Sequence, residues 1–158
     1  MSLLTPDHVF SSILDVRVEW LRGAGCRGLI VDLDNTIVPW RGENPSPETI
    51  QWFQEMRDAG IQVVLVSNAG GPRAARMAQL LGVPAVAPAK KPMASGYKTA
   101  LRLMGIPAGE VTAVGDQIYT DVLGGNRAGL KTVLVNPVTQ REFVLTRLVR
   151  LLERRRQV

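Results

Sequence analysis

Residues 29–40, LIVDLDNTIVPW, place two acidic side chains at the end of an apolar run. The run has the length and composition of a buried strand, and Asp32 and Asp34 stand one residue apart where it ends, with Thr36 just behind them. Two neighbouring carboxylates raise the free energy that is needed to ionise each other. The pair therefore indicates either a solvated turn, which keeps the two charges harmless, or a site at which a cation and a phosphate group need both acids.

Length and composition are those of one folded domain. The chain has 158 residues, 46% of them apolar and 21% charged, which suits a single domain over 1–158 and excludes a disordered chain. Cys26 is the sole cysteine, so no intrachain disulfide can form. The apolar stretches fall short of the roughly 18 residues of a membrane span, and the N-terminus lacks the basic segment of a signal peptide. We therefore expect a cytoplasmic protein.

The positive charge is concentrated at the C-terminus. The formal net charge is +5, and six arginines but only two glutamates, Glu142 and Glu153, follow residue 138. Apolar residues at helical spacing predict an amphipathic helix over about 139–156. Such a helix either packs on the domain with its arginines in solvent or contacts anionic lipid at a membrane surface. Because the rest of the chain is close to neutral, we do not expect nucleic acid as a partner.

The pattern along the chain is an alternation of strands and helices. Apolar residues at helical spacing predict an N-terminal helix over 5–22. Short apolar runs predict strands at 28–33, 61–66, 84–87, 111–114 and 132–135. Amphipathic stretches between them predict helices near 47–59, 72–81, 94–104 and 120–128. This alternation is typical of a parallel sheet with helices on both faces, so we expect a three-layer α/β/α, Rossmann-like fold.

Polar residues follow four of the predicted strands, at the edge where a parallel sheet binds ligands. They are Asp32, Asp34 and Thr36; Ser67 and Asn68, with Ala69 next to them offering a backbone N–H; Lys90 and Lys91; and Asp116 and Asp121. Carboxylates bind Mg²⁺ and can attack phosphorus, whereas hydroxyl, backbone N–H and lysine groups bind phosphoryl oxygens. Taken singly, Asp116 and Asp121 could be a turn acid and a helix-start acid. Together with the other residues they indicate a phosphate site.

Four short segments resemble the motifs of a known enzyme superfamily. DLDNT looks like motif I of the haloacid dehalogenase superfamily of phosphatases, and VSNAG, KKP and GDQIYTD resemble motifs II, III and IV in the same order. The match spans residues 29–121, and the flanking segments extend the resemblance to the YqeG family over almost the whole chain. That family is a subgroup of subfamily IIIA related to phosphatidylglycerophosphate phosphatase.

The resemblance implies a role for each motif residue. Asp32 would be the nucleophile and a Mg²⁺ ligand, and Asp34 would be the general acid and base, whose backbone carbonyl also binds the metal. Ser67 and Lys91 would complete the catalytic set, with Lys90 as the alternative lysine. Asp116 would be a further metal ligand, and Asp121 would orient metal-bound water or the lysine. The substrate-binding residues would be Thr36, which also holds the motif I loop, Asn68 and Ala69.

The gaps between the motifs leave no room for a cap domain. The segment between Thr36 and Ser67 must hold a loop, a helix and a strand, and that between Ser67 and Lys91 holds one helix and one short strand. An open, capless site suits a phosphate on a large or anchored molecule. Together with the open site and the basic C-terminal segment, the resemblance implies a Mg²⁺-dependent phosphomonoester hydrolase that acts through an aspartyl-phosphate and dephosphorylates phosphatidylglycerophosphate in phospholipid synthesis.

Two other functions fit the same residues. One is a phosphatase of this type that acts on soluble sugar phosphates, nucleotides or phosphoproteins. The other is a non-catalytic binding or assembly factor that uses the basic helix, although the complete set of motifs argues against it. Trp40 and Arg41 follow motif I closely enough to reach a substrate, and Tyr119 either packs within motif IV or contacts the substrate.

Overall fold

The computed structural model describes residues 2–138, so the helix predicted over about 139–156 lies outside the described residues. Six strands form one parallel sheet in the order β1-β6-β5-β2-β3-β4. Their bounds are His8–Phe10 (β1), Gly28–Val31 (β2), Gln62–Val66 (β3), Ala85–Val86 (β4), Val111–Gly115 (β5) and Lys131–Val135 (β6). The five strands that the sequence predicts are all present, and β1 is an additional one.

Helices connect successive strands of the described chain. The α-helices are Val18–Gly23 (α1), Pro47–Asp58 (α2), Gly71–Leu81 (α3), Ser95–Met104 (α4) and Leu123–Arg127 (α5). Single 3-10 turns cover Ile13–Asp15 and Ala108–Glu110, and a π-helical turn, Ile118–Val122, leads into α5. Within residues 2–138, no helix is long and apolar enough to cross a membrane.

The strand β2 is buried on both sides because helices cover both faces of the sheet. Every residue of β2 is buried, with Leu29 and Val31 in one apolar cluster and Ile30 in another. Phe53 of α2 packs in the first cluster, and Tyr97 of α4 packs in the second. A strand without a polar face fits the interior of a parallel sheet. The three-layer α/β/α prediction is confirmed.

The predicted helix over residues 5–22 is wrong. This segment forms strand β1, a 3-10 turn and the short helix α1. β1 pairs in parallel with β6, with Val9 opposite Leu134, and so extends the sheet by one edge strand. Ser12 follows with a capping box, in which its backbone N–H donates to Asp15 Oδ2 at 3.1 Å. Apolar spacing favours a helix here, but pairing with a distant strand decides the backbone.

The strand order brings the motif-bearing loops together. β2 lies between β5 and β3, and Ile30 is level with Ala113 on one side and Val64 on the other. The carboxyl ends of these three strands therefore share one edge of the sheet, which we call the carboxyl edge. Because ligands of parallel α/β sheets bind outside this edge, the site is expected there.

Candidate active site

Three carboxylates meet at the carboxyl edge. Asp32 follows β2, Asp116 follows β5, and Asp121 lies in the π-helical turn after β5. One oxygen of each carboxylate lies within 4.8 Å of the others. The backbone N–H of Asp32 donates to Val114 O at 3.0 Å, which keeps its loop in line with the sheet. Parallel pairing of β2 and β5 thus gathers acids from distant parts of the chain into one cluster.

Lys91 is the lysine that reaches this three-acid cluster. Its Nζ donates to Asp32 Oδ1 and to Asp121 Oδ1, each at 2.6 Å, and its side chain is 3% exposed. The Asn68 side chain holds the lysine loop, because Lys91 N–H donates to Asn68 Oδ1 at 2.7 Å and Asn68 Nδ2 donates to Lys91 O at 3.1 Å. Lys90, in contrast, is exposed. Of the two lysines that the sequence left open, the structure places Lys91 in the site.

The charges of the cluster are unbalanced. Burial, and then the charges of Asp121 and Asp32, raise the pKa of Asp116 from 3.8 to about 8. Burial and Asp121 also raise the pKa of Asp32 to about 6, against the opposing effect of Lys91. Burial alone would lower the pKa of Lys91, but Asp121 and Asp32 raise it above its usual range, so the ammonium stays charged. One ammonium among three carboxylates leaves a negative site whose oxygen donors fit a divalent cation.

A glycine makes the space that Asp121 occupies. A Cβ added at Gly115 would lie 2.1 Å from Asp121 Cγ, which is closer than two carbon atoms can approach without bonding. The Gln117 backbone N–H donates to Asp121 Oδ2 at 3.1 Å, while Oδ1 accepts from Lys91. Both carboxylate oxygens of Asp121 therefore accept hydrogen bonds. Position 115 needs a glycine because a side chain there would clash with Asp121.

Thr36 contacts an acid of the cluster. The residue is 1% exposed, and its hydroxyl donates to Asp116 Oδ1 at 3.2 Å. The sequence analysis expected Thr36 to bind the substrate as well as to hold the motif I loop. Its burial and its hydrogen bond favour a different role, since the turn after β2 directs the hydroxyl toward the neighbouring strand β5. Thr36 is not among the residues that line the cavity, so the structure shows its contact with Asp116, and a contact with the substrate stays a prediction.

The Asp34 carboxylate pairs with Arg73, a residue that the sequence analysis did not identify. Arg73 Nη1 lies 2.8 Å from Asp34 Oδ1, and Nη2 donates to Gly42 O at 2.7 Å. The Arg41 backbone N–H also donates to Asp34 Oδ1, at 3.1 Å. Because Arg73 lies in the first turn of α3, the helix after β3 fixes the acid and the loop that follow β2.

A cavity of about 150 Å³ opens beside the three-acid cluster, and one acid of the cluster, Asp32, lines it. The lining residues are Asp32, Asp34, Trp40, Ser67, Asn68, Ala69, Lys91, Gln117 and Thr120. Ser67 is buried, and its Oγ accepts a hydrogen bond from the Ala69 N–H at 3.0 Å. Trp40 is 58% exposed and so stands at the mouth. Gln117 and Thr120 belong to the motif IV segment and line the cavity without having been predicted as site residues.

Comparison with known proteins finds relatives along most of the chain. Residues 11–129 match the family model described as haloacid dehalogenase-like hydrolase. "Probable phosphatase YqeG" of Bacillus subtilis is 41% identical over 150 residues, which cover 95% of this chain and 87% of that protein. "Phosphatidylglycerophosphate phosphatase 1, chloroplastic" of Chlamydomonas reinhardtii is 35% identical over 138 residues, which cover 79% of this chain and 51% of that protein. The chain thus spans about half the length of the algal enzyme.

Solved structures share the fold. A protein described as a subfamily IIIA hydrolase of the haloacid dehalogenase superfamily, from Legionella pneumophila, matches with a TM-score of 0.59 at 20% identity over 80% of this chain and 76% of that one. The cobalt-bound deoxy-D-mannose-octulosonate 8-phosphate phosphatase of Haemophilus influenzae matches with a TM-score of 0.57 at 18% identity over 71% of this chain and 69% of that one. At these identities the likeness shows the fold alone. With the family model and the YqeG relative, the predicted family is confirmed: the chain belongs to the haloacid dehalogenase-like hydrolase family and is a phosphatase of that family.

Proposed function

We propose that this phosphatase hydrolyses phosphomonoesters in two steps, with the phosphoryl group carried in between on Asp32. The Asp32 carboxylate attacks phosphorus, and Asp34 donates a proton to the oxygen of the leaving alcohol. Water then attacks the phosphoryl-aspartate while Asp34 accepts its proton, which restores the free carboxylate of Asp32. Lys91 and the hydroxyl of Ser67 stabilise the phosphoryl oxygens. The observation that carries this proposal is that Asp32, Asp34, Ser67 and Lys91 line the same cavity.

The proposal includes Mg²⁺ at the three-acid cluster. Asp32 and Asp116 would hold the ion through carboxylate oxygens, and Asp34 through its backbone carbonyl. When bound, the ion supplies positive charge to the phosphate and to the acids around it. Burial, and then the charge of Asp121, raise the pKa of Asp32 to about 6 and that of Asp116 to about 8; these shifts support the assignment because a bound cation would offset both effects.

Asp32→Asn tests the chemistry directly. We expect Mg²⁺-dependent release of phosphate from an aryl phosphate to fall by about 10³-fold or more, since the amide cannot act as the nucleophile. Asp58→Asn, an exposed acid on α2, is the matched control and should retain wild-type activity. Wild-type rates in Asp32→Asn, or no activity of the wild type on several aryl and alkyl phosphates, would contradict the proposed reaction.

We further propose that the substrate is phosphatidylglycerophosphate, reached from the cytoplasmic face of a membrane. The algal relative carries the name of such an enzyme. In the described residues, the connection from β2 to β3 holds only α2, and that from β3 to the lysine loop holds only α3 and β4. A site open in this way admits a headgroup that stays attached to its lipid. The basic segment over 139–158 adds attraction to an anionic surface.

A comparison of phosphate release from lipid and water-soluble esters tests this assignment. We expect phosphate release from phosphatidylglycerophosphate in mixed micelles to exceed release from glycerol phosphates and sugar phosphates at equal concentration, and to disappear in Asp32→Asn. Higher turnover of the water-soluble esters would instead identify a phosphatase of soluble substrates. That result would leave the proposed two-step reaction intact and remove only the lipid.

A further inference from the structure

Four large apolar side chains stand exposed at the carboxyl edge. Trp40 is 58% exposed, Met93 is 58%, Tyr119 is 69% and Val138 is 49%. They come from the segments that follow β2, β4, β5 and β6, so four different connections contribute one residue each. We call this set the apolar rim.

Two members of the rim belong to segments that also supply lining residues of the cavity. Trp40 is itself a lining residue, whereas Tyr119 belongs to the motif IV segment without being one. The Arg41 guanidinium lies over the Trp40 ring, 5.8 Å from its centre. A large aromatic ring beside a cation is the combination that membrane proteins place at the level of the lipid headgroups.

The other two members are joined to the motif loops by backbone hydrogen bonds. The Met93 N–H donates to Lys90 O at 3.0 Å, so Met93 and the exposed Lys90 close one turn of the lysine loop. The Val138 N–H donates to Asn35 O at 2.8 Å, which places the end of the described chain against the motif I loop. The apolar rim therefore follows the loops that form the site.

The position of Val138 also decides where the basic segment begins. Residues 139–158 carry six arginines and two glutamates, and they are joined to the protein at the carboxyl edge. Arg41 and Lys90 add two exposed cations among the rim loops, against one exposed acid, Glu43. The same edge thus presents apolar side chains, an open phosphate site and, among the exposed charged residues of the rim loops, more cations than acids.

We propose that the apolar rim docks the cavity onto an anionic phospholipid surface. The proposal rests on the lipid substrate proposed above and explains how the site reaches it. Apolar side chains of the rim enter the headgroup region, while Arg41, Lys90 and the basic segment bind lipid phosphates. The mouth of the cavity then faces the headgroups, so a phosphate ester of a membrane lipid enters without leaving the bilayer.

Vesicle binding by the full chain tests the docking surface. The probe is a phosphatidylcholine vesicle containing phosphatidylglycerol, and binding is measured by sedimentation. We expect the double variant Met93→Ser/Tyr119→Ser to bind about tenfold or more weakly than the wild type, since both side chains lose apolar area that enters the headgroup region. The matched control, Leu80→Ser/Leu103→Ser, removes two exposed leucines near the ends of α3 and α4, at the opposite edge of the sheet, and should bind like the wild type.

Two catalytic readouts separate docking from chemistry. Hydrolysis of a water-soluble aryl phosphate should be equal in the wild type and in Met93→Ser/Tyr119→Ser, whereas hydrolysis of vesicle-borne lipid phosphate should fall with binding. Equal vesicle binding by both double variants and the wild type would overturn the docking proposal, and so would a wild type that does not bind anionic vesicles. Rim-dependent binding without lipid hydrolysis would uphold the docking surface and refute the proposed substrate.

Discussion

Replacing Asp116 by asparagine should stabilise the metal-free protein, and the gain should grow with pH. Burial and the charges of Asp121 and Asp32 raise the pKa of Asp116 from 3.8 to about 8. A carboxyl group with a higher pKa in the folded state binds more protons when folded, so the free energy of unfolding falls as the pH rises between the two values. Asparagine keeps an oxygen that can accept the Thr36 hydrogen bond of 3.2 Å, and it removes the charge.

The size of this stabilisation follows from the crowding of the three acids. Fully expressed, the difference between pKa values of 3.8 and about 8 corresponds to roughly 6 kcal/mol. Two unit charges at the observed limit of 4.8 Å repel by roughly 3.5 kcal/mol at an effective dielectric constant of about 20, and Lys91 offsets part of this repulsion. We therefore expect a gain of about 2–4 kcal/mol at about pH 9, which for a chain of this size raises the Tm by roughly 5–12 °C.

Thermal unfolding followed by circular dichroism, in a chelator and over a pH series, measures the effect. The Tm of Asp116→Asn should exceed that of the wild type at about pH 9 and approach it at about pH 4, where the wild-type carboxyl is protonated in the folded state. Added Mg²⁺ should raise the wild-type Tm more than that of the variant. Asp58→Asn, on the exposed face of α2, should show no gain at either pH. A variant that unfolds at or below the wild-type temperature at alkaline pH would refute the charge crowding.

Three further substitutions test other contacts of the site. Arg73→Ala should lower kcat for an alkyl phosphate by about 10–100-fold and kcat for an aryl phosphate far less. An alkyl alcohol is a poor leaving group that needs a proton from a correctly placed Asp34, whereas an aryl alcohol leaves readily without it. Equal losses on both substrates would reduce Arg73 to a structural role. Lys91→Met should destabilise the metal-free protein by about 3 kcal/mol at neutral pH, as measured by urea unfolding, because carboxylates lose their buried partner. The loss should shrink in acid; a pH-independent loss would indicate packing alone. Gly115→Ala should lower the free energy of unfolding by about 1–3 kcal/mol and kcat by tenfold or more, since Asp121 must move away from the new Cβ at position 115. An unchanged kcat would show that Asp121 can be displaced without consequence.

The sheet and the catalytic loops were predictable because their signals are local. An apolar run followed by an acid marks β2, and similar runs mark β3 and β5, so the residues after these strands could be placed at one edge before the structure was known. Parallel sheets bind ligands at that edge because the loops that follow neighbouring parallel strands meet there, as in any α/β chain. Burial then placed Lys91, the lysine that the motif favours, in the site and left the alternative, Lys90, exposed.

The features that escaped prediction depend on pairs of residues far apart in the chain. β1 is too short to be separated from a helical pattern, and its pairing with β6 is visible only in the fold. Arg73 looks like an ordinary polar residue of α3 until the loop after β2 brings Asp34 within 2.8 Å of it. The hydrogen bond from Thr36 to Asp116 was not predictable either, because it depends on how the neighbouring strand β5 places Asp116.

The open mouth of the cavity gives the apolar rim a second consequence for catalysis. Phosphoryl transfer gains from removing bulk water, because charged groups interact more strongly when a site is dry, and capped enzymes achieve this by closing a domain. In the described residues of this chain no inserted element covers the cavity, whose mouth is bordered by the exposed Trp40. A lipid surface seated on the rim would cover that mouth. Turnover per bound enzyme should therefore be higher on a vesicle than on the same headgroup phosphate free in solution, and equal turnover would separate membrane docking from exclusion of water.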